Sequence, residues 1–183
     1  MSLTYTIAAP QDLPGILALQ RENLAINLSS AEVREQGFVT VVHSLTSLGN
    51  MNDIEPHIIA KDGDSVAAYL LAMTSAAQND IEVLKPMFEL FEHIQLHGKP
   101  IASYKYIVVG QVCVGKPYRG QGVLDKAYAE YRRRLSGKYD FAITEISTRN
   151  ARSLRGHERV GFREVHRFTA PDGEEWSVVA WEW

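Results

Sequence analysis

The segment from Val112 to Leu124 is the part of this chain best suited to binding an anion. It begins as an apolar strand, passes through a proline and two close glycines, and leads directly into an amphipathic helix. A turn of this kind directs backbone N–H groups and the positive end of the helix dipole to one point. The sequence therefore predicts an anion site at this turn.

Two well-known phosphate-binding loops do not match this turn. A P-loop requires Lys followed by Ser or Thr after its second glycine, but Gly120 is followed by Gln121 and Gly122. A dinucleotide fingerprint requires a third glycine at the position where this chain has Asp125. An ordinary strand-to-helix turn that binds nothing remains an alternative.

A second polar segment follows one helix and one strand later. Asn150 is a favourable N-cap, and the pattern that follows it predicts a helix over Ala151–Val160. On that helix Asn150, Ser153 and His157 share one face, because residues three, four and seven apart lie together. Alone, this pattern is typical of a capped helix with a solvated stripe.

Taken together, the two segments resemble the cofactor-binding part of the GNAT superfamily of acyl-CoA N-acyltransferases. The run Arg119-Gly-Gln-Gly-Val-Leu124 resembles the Q/R-x-x-G-x-G/A loop that wraps the pyrophosphate of coenzyme A. The pattern N-x-x-S-x-x-x-H-x-x-x-G-F, which starts at Asn150, resembles the helix on the cofactor side. Leu124 departs from the family, which has Gly or Ala there. The resemblance is close from Tyr104 to Phe168 and covers the N-terminal half only by the order of its elements.

The resemblance implies that acetyl-CoA is the acyl donor. The loop would cradle the pyrophosphate, a strand edge would pair with the pantetheine amides, and the polar helix would hold the coenzyme. The residues implied to contact it are Val112, Cys113, Val114, Arg119, Gly120, Gln121, Gly122, Val123, Leu124, Asn150 and Ser153.

Acyl transfer to an amine requires a neutral amine, and this requirement points to Glu145. Deprotonating an amine with a pKa near ~10.4 at pH 7 costs roughly 4 to 5 kcal/mol, and a base must help to supply it. Glu145 lies inside an apolar strand, where burial would raise its pKa towards a useful range. Its position also resembles that of the glutamate base in GNAT enzymes that acetylate protein N-termini. A glutamate at the sheet surface, or one paired with an arginine, is the alternative.

The departing thiolate needs a proton or a hydrogen-bond donor. In many GNAT enzymes a tyrosine four residues before the Gly-Phe pair supplies it, and His157 stands at that position here. Histidine can donate with a pKa near ~6.5. The alternative is a histidine that only packs or caps its helix.

Hydrophobic patterning and turn signals give a mixed order of strands and helices without internal repeats. The resemblance implies an α/β (α+β) fold: a mixed, mostly antiparallel sheet that is splayed between strands 4 and 5 and flanked by helices. The predicted strands are 3–9, 57–61, 66–73, 104–114, 141–147, 163–169 and 176–183, and the predicted helices are 12–24, 29–37, 122–135 and 151–160.

One segment, over about 79–100, is additional to a minimal version of this fold. Its apolar spacing predicts a helix over 81–97, restarted or kinked at Pro86. We expect it either to cover a sheet edge or to form a lid over the acceptor site. His93 and His97 have the spacing of a zinc helix but lack the glutamate of H-E-x-x-H, so we expect no metal.

Composition limits the class of protein. The chain has 183 residues, 45% of them hydrophobic, and no linker composition divides it, so a single domain over 1–183 is expected. A net charge of −3 argues against a nucleic-acid surface. Cys113 is the only cysteine, which excludes an internal disulfide. With neither a signal peptide nor a membrane-spanning run, we expect a cytoplasmic protein that does not associate with membranes.

These patterns together predict an N-acetyltransferase that moves an acetyl group from acetyl-CoA directly to a primary amine. The sequence allows either a small-molecule amine or a peptide N-terminus as the acceptor. It also allows either a monomer or a homodimer. The alternative function is a catalytically inactive, GNAT-like domain that binds acyl-CoA as a sensor or partner module.

Overall fold

The computed structural model describes residues 2–79 and 84–183, and a seven-stranded sheet lies at its centre. The strands are β1 (Thr4–Ile7), β2 (Ile58–Asp62), β3 (Ser65–Met73), β4 (Tyr106–Val114), β5 (Phe141–Ser147), β6 (Arg163–Thr169) and β7 (Glu175–Glu182). The α-helices in the described ranges are α1 (Leu13–Asn23), α2 (Ser30–Gln36), α3 (Leu45–Ile54), α4 (Lys85–Phe91), α5 (Val123–Leu135) and α6 (Ala151–Val160).

The strands follow the order β1-β2-β3-β4-β5-β7-β6 across the sheet. The neighbouring strands are antiparallel except for β4 and β5, which are parallel. The predicted mixed and mostly antiparallel α/β sheet is therefore confirmed.

The parallel pair β4 and β5 separates after a short contact. Tyr106–Val108 pairs with Phe141–Ile143, although β4 continues to Val114 and stays paired with β3 to its end. Just beyond the ladder, the Thr144 hydroxyl donates a hydrogen bond to the Val109 carbonyl at 2.9 Å. The predicted split between the fourth and fifth strands of the sheet is confirmed.

Helices cover both faces of the sheet because the strands bury apolar side chains on each side. The first face packs against α1, α3 and α4, for example through Ile16, Leu48 and Phe91. The second face packs against α5, whose Tyr128 and Tyr131 are fully buried. The split between β4 and β5 thus lies between two layers of helices.

The additional segment is only partly helical, so the prediction of a helix over 81–97 is wrong at its C-terminal end. The helix α4 ends at Phe91, and a short hairpin pairs Gln95–Leu96 with Lys99–Pro100. His97 and Gly98 turn this hairpin with φ values of 50° and 76°. Residues 80–83, where the helix was expected to begin, lie outside the described residues.

The two histidines of this segment do not share a helix. His93 follows the end of α4, and the His97 Nε2 atom lies 2.7 Å from a Glu182 carboxylate oxygen. Within residues 2–79 and 84–183, no group of three or more His, Cys, Asp or Glu side chains could hold a metal ion.

The helix α4 packs on the sheet instead of standing open above it. Phe88 and Phe91 are buried, and the Phe91 ring meets the Tyr106 ring edge to face at 5.6 Å. Their apolar cluster includes Phe141, from the middle of the sheet. The segment therefore packs on the first face over β4 and β5, away from the edge strands of the sheet, and its role as a lid stays a prediction.

The helix α3 was not predicted. Ser44 caps it by accepting a hydrogen bond from the Ser47 N–H, and Leu48 and Met51 bury its inner face. Gly49 and Asn50 are weak helix formers, so packing against the sheet stabilises a helix that local propensity does not indicate. In the described ranges, no helix is both long enough and apolar enough to cross a membrane.

Candidate functional site

The loop before α5 has the backbone conformation that its glycines predict. Gly120 and Gly122 adopt φ values of 73° and 71°, in the left-handed region that other residues rarely occupy. Gly122 is the N-cap of α5, and no side chain caps this described helix end. Its first-turn N–H groups, which have no partner inside the helix, are thus available to an anion.

A cleft of about 540 Å³ opens at this loop, between α5, α6 and residues 36–39. Ten of the eleven residues predicted to contact the coenzyme line it. They are Val112, Cys113, Val114, Arg119, Gly120, Gly122, Val123, Leu124, Asn150 and Ser153. Gln121 is the exception, since its side chain is exposed and donates a hydrogen bond to the Pro117 carbonyl at 2.7 Å.

Arg119 anchors the loop to the end of β4. Its Nε donates to the Val114 carbonyl at 2.9 Å, and its terminal nitrogens donate to Asn23 at 2.5 Å and to Gln36 at 3.4 Å. All three acceptors are uncharged, so these bonds leave the positive charge of the guanidinium unneutralised. Partial burial lowers the pKa of Arg119, which nevertheless stays protonated at neutral pH.

Three further arginines of the cleft were missed in the sequence. Arg152 and Arg155 lie on α6 and line the cleft together with Arg159. Arg159 forms an ion pair with Asp125 at 2.8 Å. The signal was present, because the three arginines are spaced i, i+3 and i+7 and so share a helix face. They make one wall of the cleft cationic.

Leu124, which departs from the family pattern, is accommodated by a glycine on α6. A Cβ at Gly156 would lie 2.9 Å from the Leu124 Cδ2 atom, closer than real Cβ contacts allow. The missing side chain at Gly156 thus provides the space that Leu124 fills. The two helices that form the cleft approach closely at this point.

The predicted N-cap at Asn150 is confirmed, and its side chain also holds a loop. Its Oδ1 accepts a hydrogen bond from the Ser153 N–H at 3.2 Å, and its Nδ2 donates to the Phe38 carbonyl at 3.0 Å. A Cβ at Gly37 would lie 2.8 Å from the Asn150 Oδ1. Asn150 therefore fixes one wall of the cleft.

His157 is buried, with 2% of its surface exposed, and protein atoms hold both ring nitrogens. Its Nδ1 lies 2.8 Å from the Ser153 carbonyl oxygen, which can only accept, so we assign the proton to Nδ1. The Nε2 then accepts the hydroxyl proton of Tyr128 at 2.6 Å. Burial lowers the pKa of His157 to about 4. The expected pKa near 6.5 is therefore wrong, and the ring links α6 to α5.

Glu145 lies in a smaller cavity of about 80 Å³ at the split, which we call the passage. The passage shares walls with the cleft at Val112 and His157. The Glu145 Oε1 is buried without a hydrogen-bond partner, and burial raises the pKa of this carboxyl to about 7. The alternatives of a surface glutamate and of one paired with an arginine do not agree with this environment.

A buried network of polar side chains fixes the wall of the passage that β4 and Val41 form. Gln111 on β4 donates from Nε2 to the Val41 carbonyl at 2.8 Å. Its Oε1 accepts from Tyr69 at 2.6 Å and from Gln20 at 3.0 Å. Gln20 in turn accepts from the His43 N–H at 3.0 Å. Residues 41–43 are thus tied to β4 and α1.

The link between Tyr128 and His157 predicts a coupled effect on stability. We expect Tyr128→Phe to lower the free energy of unfolding by about 1 to 2 kcal/mol, because a buried acceptor loses its donor. His157→Ala should cost about 2 to 4 kcal/mol, since it also leaves a cavity. Denaturant unfolding of both variants and of the double variant gives the coupling, which we expect to be about 1 kcal/mol or more.

Tyr131→Phe is the matched control for this cycle. The Tyr131 hydroxyl lies on the same helix, 3.4 Å from the Val108 carbonyl, and does not contact His157. Its removal should show no coupling to His157→Ala. Equal coupling for the two tyrosines, or none for Tyr128, would contradict the assigned link.

Comparisons with known proteins identify the fold to which this structure is similar. No family model matches the sequence, and no curated protein matches it at a significant level. Arabidopsis thaliana NAA60, solved with a bisubstrate analogue, is similar with a TM-score of 0.67 and 14% identity, over 99% of this chain and 98% of that chain. A chain of the NatC complex, solved with Gag peptide and CoA, gives a TM-score of 0.66 and 14% identity, over 100% and 99%.

A third solved structure carries the family name. It is described as an acetyltransferase of the GNAT family from Desulfovibrio desulfuricans, with a TM-score of 0.65 and 13% identity, over 99% of both chains. The sequence identities are low and the alignments cover nearly the full length of each chain. This protein therefore has the fold of the GNAT N-acetyltransferases.

Proposed function

We propose that this protein is an N-acetyltransferase that transfers an acetyl group from acetyl-CoA directly to a primary amine. One observation carries the proposal. Glu145 places a partly buried carboxylate, whose buried Oε1 has no hydrogen-bond partner, in a passage that adjoins a cationic cleft. A base beside an anion cleft suits the acylation of an amine, because the base can deprotonate the amine while the cleft holds an anionic acyl donor.

The cleft has the features that a nucleotide pyrophosphate needs. Glycines with positive φ leave the loop backbone open, since a Cβ at Gly120 or at Gly122 would meet no atom within 4 Å. The N-terminus of α5 and the guanidinium of Arg119 supply positive charge beside it. These residues fit the diphosphate of acetyl-CoA, which supplies the activated acetyl group when bound.

The edge of β4 at the split offers backbone groups for an extended ligand. Arg119 already bonds the Val114 carbonyl there, on the side away from β3. Val112 lies two residues earlier, so its N–H and carbonyl point to the same side. We propose that this edge pairs with the amides of the pantetheine arm and that a β4 N–H polarises the acetyl carbonyl.

Glu145 is the proposed base. With a pKa raised to about 7, it is half ionised at neutral pH and holds an abstracted proton far better than an ordinary carboxylate. The desolvated carboxylate also attracts an ammonium ion, which passes one proton to Glu145 and becomes the neutral amine that attacks the acetyl carbon. When the C–S bond breaks, the proton released by the acylated nitrogen goes to the departing thiolate. His157 is reassigned from proton donor to positioning residue, because both of its nitrogens are engaged.

The pH dependence tests the role of Glu145. We expect kcat/KM for an alkylamine to rise with pH through about 7 and then to level off, because only ionised Glu145 accepts the proton. Glu145→Gln should lower kcat about 100-fold or more and remove this step, so that the residual rate follows the neutral fraction of the amine.

The control for this measurement is Glu182→Gln, which alters an exposed carboxylate at the end of β7. Its pH profile should match that of the wild type. Glu145→Gln activity within about threefold of the wild type, with the step near pH 7 retained, would remove Glu145 from the mechanism.

The loop conformation predicts the effect of a branched side chain on coenzyme affinity. Gly122→Val should weaken binding of acetyl-CoA by about 1 to 3 kcal/mol in calorimetry, because a side chain would stand between the backbone donors and the anion. Gly173→Val is the matched control, since Gly173 has a φ of 86°, open space around it and a place outside the cleft. Equal affinities in the two folded variants would contradict the loop assignment.

A further inference from the structure

We infer that the acceptor is a primary amine on an unbranched carbon chain, because the passage to Glu145 is narrow, rigid and without a cation. This inference rests on the proposed function and narrows the class of its substrate. It concerns the smaller of the two cavities, in which the amine must meet both the base and the acyl group.

The room in the passage sets the size of the group that enters. Its volume is about 80 Å³, against about 540 Å³ for the cleft. At roughly 15 to 30 Å³ for each water-sized group, the passage has room for about three to five such groups, and the rest of an acceptor lies outside it. An aminoethyl end has three such groups in a row. An N-terminal residue with a side chain brings at least five, which is the upper limit of this room, and it is branched at the carbon that bears nitrogen.

The walls of the passage are held in place from both sides. Gln111 bonds the Val41 carbonyl, and Asn150 bonds the Phe38 carbonyl, so the loop between them is fixed to β4 and to α6. On the opposite side, Thr144 bridges to the Val109 carbonyl across the start of the split. Widening the passage would break these hydrogen bonds, so the entry of a branched amine costs free energy.

The charge of the passage also selects the acceptor. Glu145 is the only carboxylate among its lining residues, all of which are described, and none of them is Lys or Arg. An ammonium ion is attracted to this carboxylate. The carboxylate of a free amino acid would enter without a cation to pair with and close to Glu145. An amine on a plain methylene chain fits both the shape and the charge.

Substitutions at two adjacent valines distinguish the effect of the passage wall on amine selectivity from the general effect of shortening a side chain in this loop. Val41 lines the passage and packs against the apolar cluster of the first face. Val42 is 69% exposed and lies outside the lining. Val41→Ala therefore widens the passage, whereas Val42→Ala removes the same atoms from the neighbouring surface.

The experiment compares n-butylamine with sec-butylamine, which contain the same atoms and differ in branching at the carbon that bears nitrogen. Thiol release from acetyl-CoA gives kcat/KM for each. We expect the wild-type protein to prefer the linear amine by tenfold or more. Val41→Ala should reduce this preference at least threefold by accelerating the branched amine, and Val42→Ala should leave it unchanged. Trp176→Phe, which shortens another lining side chain, replaces Val41→Ala if that variant does not fold.

The outcomes separate this inference from the proposed function. Equal use of the two amines, or faster use of a peptide with N-terminal alanine, would overturn the inference and leave the acetyltransferase proposal intact. A preference that Val41→Ala and Val42→Ala change alike would also overturn it. No thiol release with any of these amines would overturn the proposed function and the inference together.

Discussion

The separation of β4 from β5 after three paired residues is the constraint on which the rest of the site depends. If β4 and β5 stayed paired along their full length, their hydrogen bonds would occupy the backbone groups of β4, and no space would open between the two strands. Because pairing stops at Val108, the cleft, the passage and the exposed strand edge all occur at one place. Arg119 satisfies one of the carbonyl groups released there, that of Val114.

The close contact of α5 with α6 fixes the other dimension of the site. Leu124 fills the space left at Gly156, Tyr128 bonds His157, and Asp125 pairs with Arg159 further along. The first two contacts are buried or partly buried and do not depend on salt, whereas the third is exposed and is screened by it. Steric fit and a neutral hydrogen bond therefore set the width of the cleft.

Short sequence patterns predicted those parts of the structure that depend on residues close together in the chain. The glycine loop, the Asn150 cap and the split sheet follow from short spacings or from a resemblance carried by them, and the structure agrees.

Distant contacts explain what was missed. The partner of His157 lies 29 residues away on another helix, and burial there changes the pKa that its side chain would otherwise have. The helix α3 depends on packing, and the additional segment turns back at His97, which adopts a φ rarely seen outside glycine.

Amide hydrogen exchange with and without acetyl-CoA tests the central claim that the split and the α5 N-terminus form the acyl-CoA site. The account predicts slower exchange on binding at the N–H groups of Val112 and Val114, which face the split, and of Gly120 to Asp125, with no change in α3 or at Cys113, whose backbone faces β3. Binding without protection in these two segments, or protection confined to other parts of the chain, would contradict it.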